Sequence, residues 1–396
     1  MSSTATTTTP NTQPLKIGFV GLSTGGWASQ VLAPALLDPE VQQHFKLVAV
    51  STTKAESAAA SAQTYSQLFK HEVKAYHGDA NQVASDPDVD FVAVAVRAQS
   101  HKDIVKKVIE NGKPFFIEWP VGRNVEETRE LATLAREKGL KTLVGLQGRQ
   151  SNVTQKVRKI IDSGKLGRLR SVTANLLVPR ELAVWGPNLK ASYDFIVDKN
   201  NGVTLLSTGI GHFLDNFVQT VGDFARVQAS GTTLYPDVTV VDDVTQEPIA
   251  GRPSLRNTFL DHITITGILK GSGAWVTVIV RQGHKSTPGR RQFLWEIDGE
   301  EGSLKIEDTR VGGANIGARD PEHVYLNGEK VVWDKENDGV DKFDNPVPFV
   351  KSSWLEFAKG KENGGYYVDI EDALKHRELL DAIERSLNDN GKWINL

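Results

Sequence analysis

The sequence predicts an α/β protein with two domains: an N-terminal Rossmann dinucleotide-binding domain and a C-terminal α+β domain with an open, mostly antiparallel sheet. An apolar run, a glycine cluster and a helix-like stretch follow one another at residues 16–36. Strand-like and helix-like segments then alternate to about residue 146, and β-type segments dominate after Arg149. We therefore expect a disordered tail at residues 1–14, a Rossmann NAD(P)-binding domain at 15–147 and a substrate and dimerisation domain at 148–396.

The first element is a strand, a glycine turn and a helix, with the sequence KIGFVGLSTGGWASQVLAPAL. Such a turn lets the backbone approach a pyrophosphate, and the helix N-terminus offers free N–H groups and a positive dipole end. The first and last glycines of G-x-G-x-x-G are present, whereas a serine replaces the middle one. The alternatives are an ordinary strand-to-helix turn and a tryptophan that belongs to the core rather than stacking on the nucleotide. The residues predicted to contact the nucleotide here are Gly21, Leu22, Ser23, Gly26 and Trp27.

The second strand, residues 46–50, ends in Ser51-Thr52-Thr53-Lys54. In NAD-binding folds an acidic residue at this place usually binds the ribose hydroxyls, and a carboxylate would repel a 2′-phosphate. The hydroxyls of Thr52 and Thr53 and the ammonium of Lys54 would instead accept that phosphate. The pattern favours NADP as cofactor, with NAD as the alternative. An equally valid interpretation is a plain helix N-cap at Ser51 or Thr52 followed by an incidental lysine.

The other strands of the first domain carry polar residues at their carboxyl ends. Strands are predicted at residues 91–96, 113–117 and 142–146, and helices at 55–69 and 125–138. Parallel strands joined by right-handed crossovers place ligands beyond those ends. We expect His101 to shape the nucleotide pocket or to cap its helix rather than to react. The predicted nucleotide-binding residues at these ends are Arg97, His101, Glu118, Trp119 and Gln147.

The second domain shows a different pattern, in which β-type segments dominate. They are predicted at residues 171–178, 227–233, 262–269, 275–280, 292–299 and 302–307. Helices are predicted at residues 153–163, about 207–220, 349–359 and 370–387. Residues 237–254 are expected to form a surface loop, and residues 308–345 a mobile polar stretch with one hairpin near 323–333.

The composition excludes several classes of function. A formal net charge of -3 indicates no general attraction to nucleic acid or to anionic membranes. The absence of cysteine excludes disulfides, thiolate metal sites and a cysteine nucleophile. No apolar run approaches the ~20 residues of a membrane span, and the start of the chain lacks the features of a secretory signal. The nine histidines lack the spacing of a zinc helix, so no metal site is predicted.

Four landmarks together resemble the Gfo/Idh/MocA oxidoreductases. They are the glycine turn at Gly21, the strand followed by His101, the sequence EWP at residues 118–120, and GVTLLSTGIGHFLD at residues 202–215. Shorter matches resemble the branch of the fungal galactose-regulon repressor: LQGR at 146–149, NGV at 201–203, GH at 211–212 and DH at 261–262. The family resemblance implies a nicotinamide nucleotide and an oxidoreductase fold. Members of that branch act by binding a transcriptional activator, although relatives with similar sequences are oxidoreductases.

Two positions depart from the pattern of the family's enzymes. Those enzymes read Glu-Lys-Pro, with the lysine contacting the reacting hydroxyl, whereas this chain has Trp119 in that place. They also carry an acid four residues before the site histidine, where this chain has Thr208. An indole only donates a hydrogen bond and moves no proton at neutral pH.

The residues that could still serve catalysis are His212 as acid and base, with Arg149, Tyr193 and Gln147 orienting a substrate. The alternative for His212 is a helix histidine that is hydrogen-bonded for packing. Asp215, one turn further on, is interpreted as a structural partner.

These residues support two hypotheses. The first is an NAD(P)-dependent oxidoreductase acting on a sugar, polyol or related hydroxyl or carbonyl compound. The second is a non-catalytic, nucleotide-binding transcriptional regulator whose partner is an activator peptide, without direct contact to nucleic acid or membrane. In both cases we expect a homo-oligomer in the cytoplasm, with the nucleus as the alternative for a regulator.

Overall fold

A computed structural model describes residues 13–317, 319–331 and 345–396. The tail expected at residues 1–14 lies almost wholly outside this part of the chain. The described residues begin with strands that form one parallel sheet: β1 (Leu15–Val20), β2 (Phe45–Thr52), β3 (Lys74–His77), β4 (Phe91–Val94), β5 (Phe115–Ile117) and β6 (Thr142–Val144). Their order in the sheet is β3-β2-β1-β4-β5-β6, which confirms the predicted Rossmann architecture.

Helices connect these strands: α1 (Ala33–Leu36), α2 (Pro39–Gln42), α3 (Ala55–Phe69), α4 (Asn81–Ala84), α5 (His101–Glu110) and α6 (Val125–Glu137). A π-helical turn, Ala28–Leu32, precedes α1. Both faces of the sheet are buried: along β4, Phe91 and Ala93 face one apolar cluster while Val92 and Val94 face another. This burial explains why the strands read as continuous apolar runs.

The second half contains a mixed sheet of nine strands among the described residues. They are β7 (Leu169–Pro179), β9 (Phe224–Thr232), β12 (His262–Leu269), β13 (Trp275–His284), β14 (Phe293–Gly299), β15 (Ser303–Asp308), β16 (His323–Leu326), β17 (Glu329–Lys330) and β18 (Ile394–Asn395). Their order is β17-β16-β15-β14-β7-β13-β12-β9-β18, and only the β7–β13 pairing in this sheet is parallel. The predicted open, mostly antiparallel sheet is confirmed.

One helical layer covers a face of this sheet and joins it to the first. It comprises α7 (Asn152–Asp162), a π-helical turn (Leu205–Ile210), α8 (Gly211–Val221) and α10 (Ile370–Asn388). The last of these lies between the two sheets, because Arg129 of α6 pairs with its Glu378 at 3.1 Å while its Ser386 accepts the N–H of Ala229 in β9 at 2.8 Å. The domain bounds at residues 147 and 148 stay a prediction.

Helix α9 (Val347–Lys359) returns from the second half to the first sheet. Its Trp354 is fully buried against Phe45, Phe91 and Phe116, with ring centroids 5.0, 5.7 and 5.3 Å away. The hydrophobic core of the Rossmann sheet is therefore completed by residues more than two hundred positions further along the chain.

A small additional sheet corrects the prediction of a loop at residues 237–254. Strand β10 (Asp237–Val241) pairs in parallel with β8 (Asn188–Lys190) and antiparallel with β11 (Leu255–Arg256). Val238 and Val240 are buried, because the alternating VTVV sequence gives the strand an apolar face towards Leu189 and Ile196. Residues 242–254 contain the turn that the charged and polar composition predicted.

The polar stretch after β15 is partly ordered. The strands β16 and β17 confirm the hairpin expected near residues 323–333, although Trp333 and the following residues to 344 lie outside the described part. Residues 312–317 are packed, and Ile316 is only 2% exposed. Short 3₁₀ turns are found at Ala98–Ser100, Gln147–Gln150, Arg180–Leu182, Ala191–Val197, Lys199–Asn201 and Lys361–Asn363.

Candidate functional site

The glycine turn after β1 tolerates only glycine at its first position. Gly21 has φ = +94°, and a Cβ there would lie 2.2 Å from the carbonyl oxygen of Ala95 in the neighbouring strand connection. Its N–H donates to the carbonyl of Ser51 at 2.8 Å and so ties the turn to the end of β2. The close approach of three strand ends at this point requires a residue without a side chain.

The rest of the turn offers unpaired backbone donors. Within the described residues, the N–H groups of Thr24, Gly25 and Gly26 donate no hydrogen bond, and a Cβ at either glycine would meet open space. Two side chains of α3 hold the turn: Ser61 Oγ donates to the carbonyl of Leu22 at 2.5 Å, and Tyr65 Oη donates to that of Ser23 at 2.9 Å. Free N–H groups before a helix suit a phosphate, so these residues fit a dinucleotide.

Leu22 and Ser23, two of the predicted nucleotide contacts in this turn, have side chains that are already engaged within the protein. The Leu22 side chain is fully buried, so only its backbone can reach a nucleotide. The Ser23 hydroxyl donates to the carbonyl of Gly25 at 2.7 Å, which fixes the turn internally.

Replacing Gly21 by alanine is expected to lower the free energy of unfolding by about 2–3 kcal/mol, because a strained φ and a clash with a backbone carbonyl add together. Gly78→Ala is the matched control, since Gly78 has φ = +77° but open space around it. Chemical denaturation of both variants measures the difference. Equal losses in the two variants would contradict a role for the close approach.

The two residues that follow β2 are presented to solvent. Thr53 and Lys54 are exposed. The Thr52 hydroxyl instead bonds locally, with its oxygen 2.6 Å from Ser57 Oγ and 3.1 Å from the carbonyl oxygen of Lys54. Thr52 therefore supports the first turn of α3, whereas, within the described part of the chain, the Lys54 ammonium is left free to contact a ligand. Arg97, at the end of β4, is also exposed and stacks over the ring of Phe195 at 4.4 Å.

Glu118 and Trp27 meet beside the glycine turn. The indole Nε1 of Trp27, a residue that is 44% exposed, donates to Glu118 Oε1 at 3.0 Å. The second carboxylate oxygen, Glu118 Oε2, lies against Gly145. A Cβ at Gly145 would be 2.4 Å from this oxygen, so no side chain fits there. Burial raises the pKa of Glu118 to about 7, and the N–H groups of Trp27 and Trp119 lower it only in part. A carboxyl group that titrates near neutral pH thus lies where the glycine turn meets the larger cavity described below.

The raised pKa of Glu118 predicts a pH-dependent stability. In the unfolded chain the group ionises near 4.5, whereas the folded protein keeps its proton to about pH 7. Stability therefore falls as the pH rises from 4.5 through 7. Relative to the wild type, Glu118→Gln is expected to gain about 2–3 kcal/mol of stability between pH 5 and pH 8. Unfolding at both pH values measures this gain. Glu126→Gln, at an exposed position, should show no such gain. If the stability difference between Glu118→Gln and the wild type did not change with pH, the raised pKa of Glu118 would be contradicted.

His101 and Trp119 are buried away from the turn. The two ring nitrogens of His101 each lie 2.9 Å from a backbone carbonyl oxygen, those of Pro120 and Val96. The indole of Trp119 donates to the carbonyl of Ser207 at 2.8 Å. His101 therefore fastens the turn after β5, and the indole of Trp119 fastens that turn to the π-helical turn before α8, while a contact of either residue with a nucleotide stays a prediction.

Arg149 also has a different place from the one expected. Its guanidinium is buried and binds Asp215, with Nη2 2.9 Å from Oδ1 and Nε 3.1 Å from Oδ2. Nη1 reaches Asp372 of α10 at 3.2 Å. These carboxylates hold Arg149 between α8 and α10, and its role in orienting a substrate stays a prediction. The expectation that Asp215 is a structural partner agrees with this geometry.

A cavity of about 450 Å³ lies between the glycine turn and the second sheet. Four predicted site residues line it: Trp27, Gln147, Tyr193 and His212. The remaining wall comes from β7, from residues 182–210, from α8 and from the segment 312–317. Trp27, the residue that follows the glycine turn, thus lines the same cavity as His212, together with Gln147.

His212 faces this cavity from the first turn of α8. No hydrogen bond joins its imidazole to another group among the described residues, so it is not a packing histidine. Burial lowers the pKa of His212 to about 4, with His376 acting in the same direction and Asp215 opposing. The imidazole is therefore neutral at pH 7, and it can accept a proton. Burial likewise raises the pKa of Tyr193.

Three further polar groups in the cavity wall escaped the sequence analysis. Thr208 Oγ1, Asn216 Oδ1 and Trp185 Nε1 are buried without a hydrogen-bond partner among the described residues. Unpaired buried groups are costly, and because none of these three atoms is open to solvent, a ligand would reach them only after a side chain moves. In the sequence, Thr208 indicates only that the acid of the family's enzymes is absent. Its spacing of four from His212 was the signal that both would face one side of a helix.

Two observations concern metals and membranes. Among the described residues, no cluster of histidine, aspartate and glutamate side chains is arranged to hold a metal ion. None of the helices in that part of the chain combines the length and the apolar character needed to cross a bilayer.

Comparison with known proteins identifies two family matches. Residues 15–146 match the oxidoreductase family with an NAD-binding Rossmann fold, and residues 153–308 match the C-terminal domain of Gal80p. A dehydrogenase of Aspergillus oryzae, aclE, is 28% identical over 379 residues, covering 94% of this chain and 96% of that protein. The galactose/lactose metabolism regulatory protein GAL80 of Saccharomyces cerevisiae is 26% identical over 348 residues, covering 83% and 76%.

The solved structures agree on the fold. The super-repressor mutant of Gal80p from Saccharomyces cerevisiae superimposes with a TM-score of 0.83 at 22% identity, covering 96% of this chain and 98% of that one. The cofactor class of the matched Rossmann family is a nicotinamide dinucleotide. Residues 15–146 are thus a domain of the Gfo/Idh/MocA oxidoreductase type, and residues 153–308 are a domain of the Gal80p C-terminal type.

Proposed function

We propose that this chain is a nicotinamide-dinucleotide-dependent oxidoreductase that acts on a small hydroxyl or carbonyl compound. The observation that carries the proposal is the neutral His212, which faces a cavity reaching Trp27 beside the glycine turn. The dehydrogenase relative of Aspergillus oryzae, matched over nearly its whole length, supports the same activity. A sugar or polyol, as the sequence suggested, belongs to this broad class.

The residues of the chain divide the work as follows. When bound, the oxidised nicotinamide supplies the acceptor for the hydride that leaves the alcohol carbon. His212 accepts the hydroxyl proton, and the carboxylate of Asp215 favours the imidazolium that forms. Thr208 Oγ1 donates to the substrate oxygen. Backbone N–H groups of the glycine turn hold phosphate, and Trp27 and Gln147 flank the place where the two ligands meet.

The loss of the family lysine shapes this mechanism. Trp119 takes its position in the sequence, and its indole N–H is already bound to the carbonyl of Ser207. We infer that no cation polarises the reacting hydroxyl and that His212 carries the proton transfer alone.

NADP is the proposed form of the cofactor. Lys54→Ala is expected to weaken NADPH binding about tenfold or more, since one charge-assisted contact to a phosphate contributes about 1.5–3 kcal/mol, while NADH binding stays unchanged. Lys46→Ala, which removes an equally exposed lysine at the other end of β2, is the matched control. Fluorescence titration with both nucleotides measures the constants. Equal weakening of NADH and NADPH would argue against a 2′-phosphate contact.

The activity is tested with a panel of alcohols and ketones, with both nucleotides, by following absorbance of the reduced nicotinamide. Turnover of any member supports the proposal. Tight nucleotide binding without turnover across the whole panel, at several pH values, would count against it.

The second candidate function is a nucleotide-binding regulator that recognises an activator peptide. The observation that favours it is the absence of the lysine and the acid, together with the relative GAL80, a regulatory protein by name. The half-exposed outer face of β12 and β13 is the proposed surface for a homo-oligomer. We place an enzyme in the cytoplasm and a regulator also in the nucleus. A nucleotide-dependent interaction with an acidic activator segment, without turnover, would favour this candidate.

A further inference from the structure

We propose that the cavity beside His212 takes a largely apolar, ring-sized alcohol or ketone with one or two polar groups, and not a free sugar or a sugar acid. The inference rests on the proposed function, because it names the substrate class of the same site.

The composition of the cavity wall is the first argument. Side chains of β7, β13 and α8 give it an aliphatic and aromatic surface, for example Leu176, Val178, Val280 and Phe213. Aromatic rings of the segment before α8 close the opposite side, at Trp185, Tyr193 and Phe195. None of the lining residues in the described part of the chain is an aspartate, glutamate, lysine or arginine. A ligand loses its hydration here and gains apolar contact in exchange.

The number of polar atoms is the second argument. His212 and Thr208 lie four residues apart and together can pair one hydroxyl or carbonyl oxygen. Gln147, Tyr193 and Asn315 bring further polar side chains to a wall that is otherwise mostly aliphatic and aromatic. A sugar carries a hydroxyl on nearly every carbon, and hydroxyls left without a partner in this wall would lose their bonds to water. The mostly apolar wall therefore disfavours a ligand that carries many hydroxyl groups.

The position of Arg149 is the third argument. It is the buried guanidinium nearest along the chain to the cavity residues Gln147 and Gly148, but Asp215 and Asp372 occupy its donors. A carboxylate or phosphate on the substrate would find no countercharge among the described lining residues. This excludes sugar acids and sugar phosphates as well as free sugars.

Binding tests this inference without relying on turnover. Isothermal calorimetry with cyclohexanol, 1-tetralol, myo-inositol and glucose is carried out on the full chain, with and without NADPH. Cyclohexanol and myo-inositol share one carbon ring and differ in having a single hydroxyl or one on every carbon. We expect cyclohexanol to bind at least tenfold more tightly than myo-inositol, and 1-tetralol more tightly still.

Two variants locate the binding. Val178→Phe adds a ring to the cavity wall and should weaken 1-tetralol at least tenfold. Val244→Phe, the same substitution at a side chain that is 90% exposed after β10, is the matched control and should leave it unchanged. NADPH binding to each variant shows that it has folded.

The outcomes separate the inference from the proposed function. Myo-inositol or glucose binding as tightly as cyclohexanol would overturn the inference, whether or not turnover is seen. Failure of all four compounds to bind a protein that binds NADPH would also overturn it. Binding of 1-tetralol that Val178→Phe abolishes, without oxidation by either nucleotide, would support the inference and count against the oxidoreductase.

Discussion

His212→Ala is expected to lower kcat/KM for the alcohol substrate by about 10²–10⁴-fold, the usual contribution of a positioned general base. The Kd for NADPH should not change, because the side chain faces the substrate cavity and not the glycine turn. Steady-state kinetics and a nucleotide titration on the same preparation measure the two effects. His77→Ala removes an exposed histidine and is the control. Activity retained within a few-fold in His212→Ala would remove this residue from the mechanism.

The pH profile provides a second readout of His212. Burial lowers the pKa of its imidazole to about 4, so the base is already deprotonated at pH 5. We expect no fall in kcat/KM due to this group near pH 6.5, where an exposed histidine would titrate, and an acid limb only as the pH approaches 4. A limb centred near 6.5 that disappears in His212→Ala would show that the site is more polar than its wall suggests.

Arg149→Met is expected to lower the free energy of unfolding by about 3–5 kcal/mol, because it leaves the buried carboxylate of Asp215 without its partner. Asp372 is affected less, since Lys361 also binds it at 2.8 Å. Denaturant unfolding measures the loss, and the double variant Arg149→Met with Asp215→Asn should regain part of it.

The matched control for this prediction is Arg129→Met. Arg129 makes an ion pair with Glu378 at 3.1 Å that joins the same helix α10 to the first domain, but both side chains are about half exposed. Its loss should therefore cost less than about 1 kcal/mol. Comparable losses for both arginines would mean that the Arg149 pair is solvated in solution.

The fold and the glycine turn could be predicted from the sequence because each depends on neighbouring residues in the chain. A strand buried on both faces reads as a continuous apolar run, and the close approach at Gly21 requires a glycine. The strand β10 was missed because acidic residues and prolines surround its VTVV core, and its partner β8 lies about fifty residues earlier in a segment without a strand signal.

The side-chain positions at the site were less predictable, because they depend on residues distant in sequence. Arg149 resembled a substrate-binding arginine, but Asp372 lies 223 residues away and engages it from another helix. Trp119 was expected at the nucleotide, whereas its indole reaches the carbonyl of Ser207, 88 residues further on. His212 and Thr208, in contrast, lie only four residues apart, His212 in α8 and Thr208 in the π-helical turn that leads into it, so their proximity followed from the local sequence.

Helix α9 has a consequence for how the chain is synthesised. Until its Trp354 emerges from the ribosome, the side of Phe45, Phe91 and Phe116 that this tryptophan contacts is uncovered. About 200 residues separate the end of β6 from α9. At about 5–20 residues per second their translation takes about 10–40 s. Throughout that interval the nascent Rossmann domain exposes an apolar surface. We expect a chaperone to bind this surface until α9 has been synthesised and packs against it.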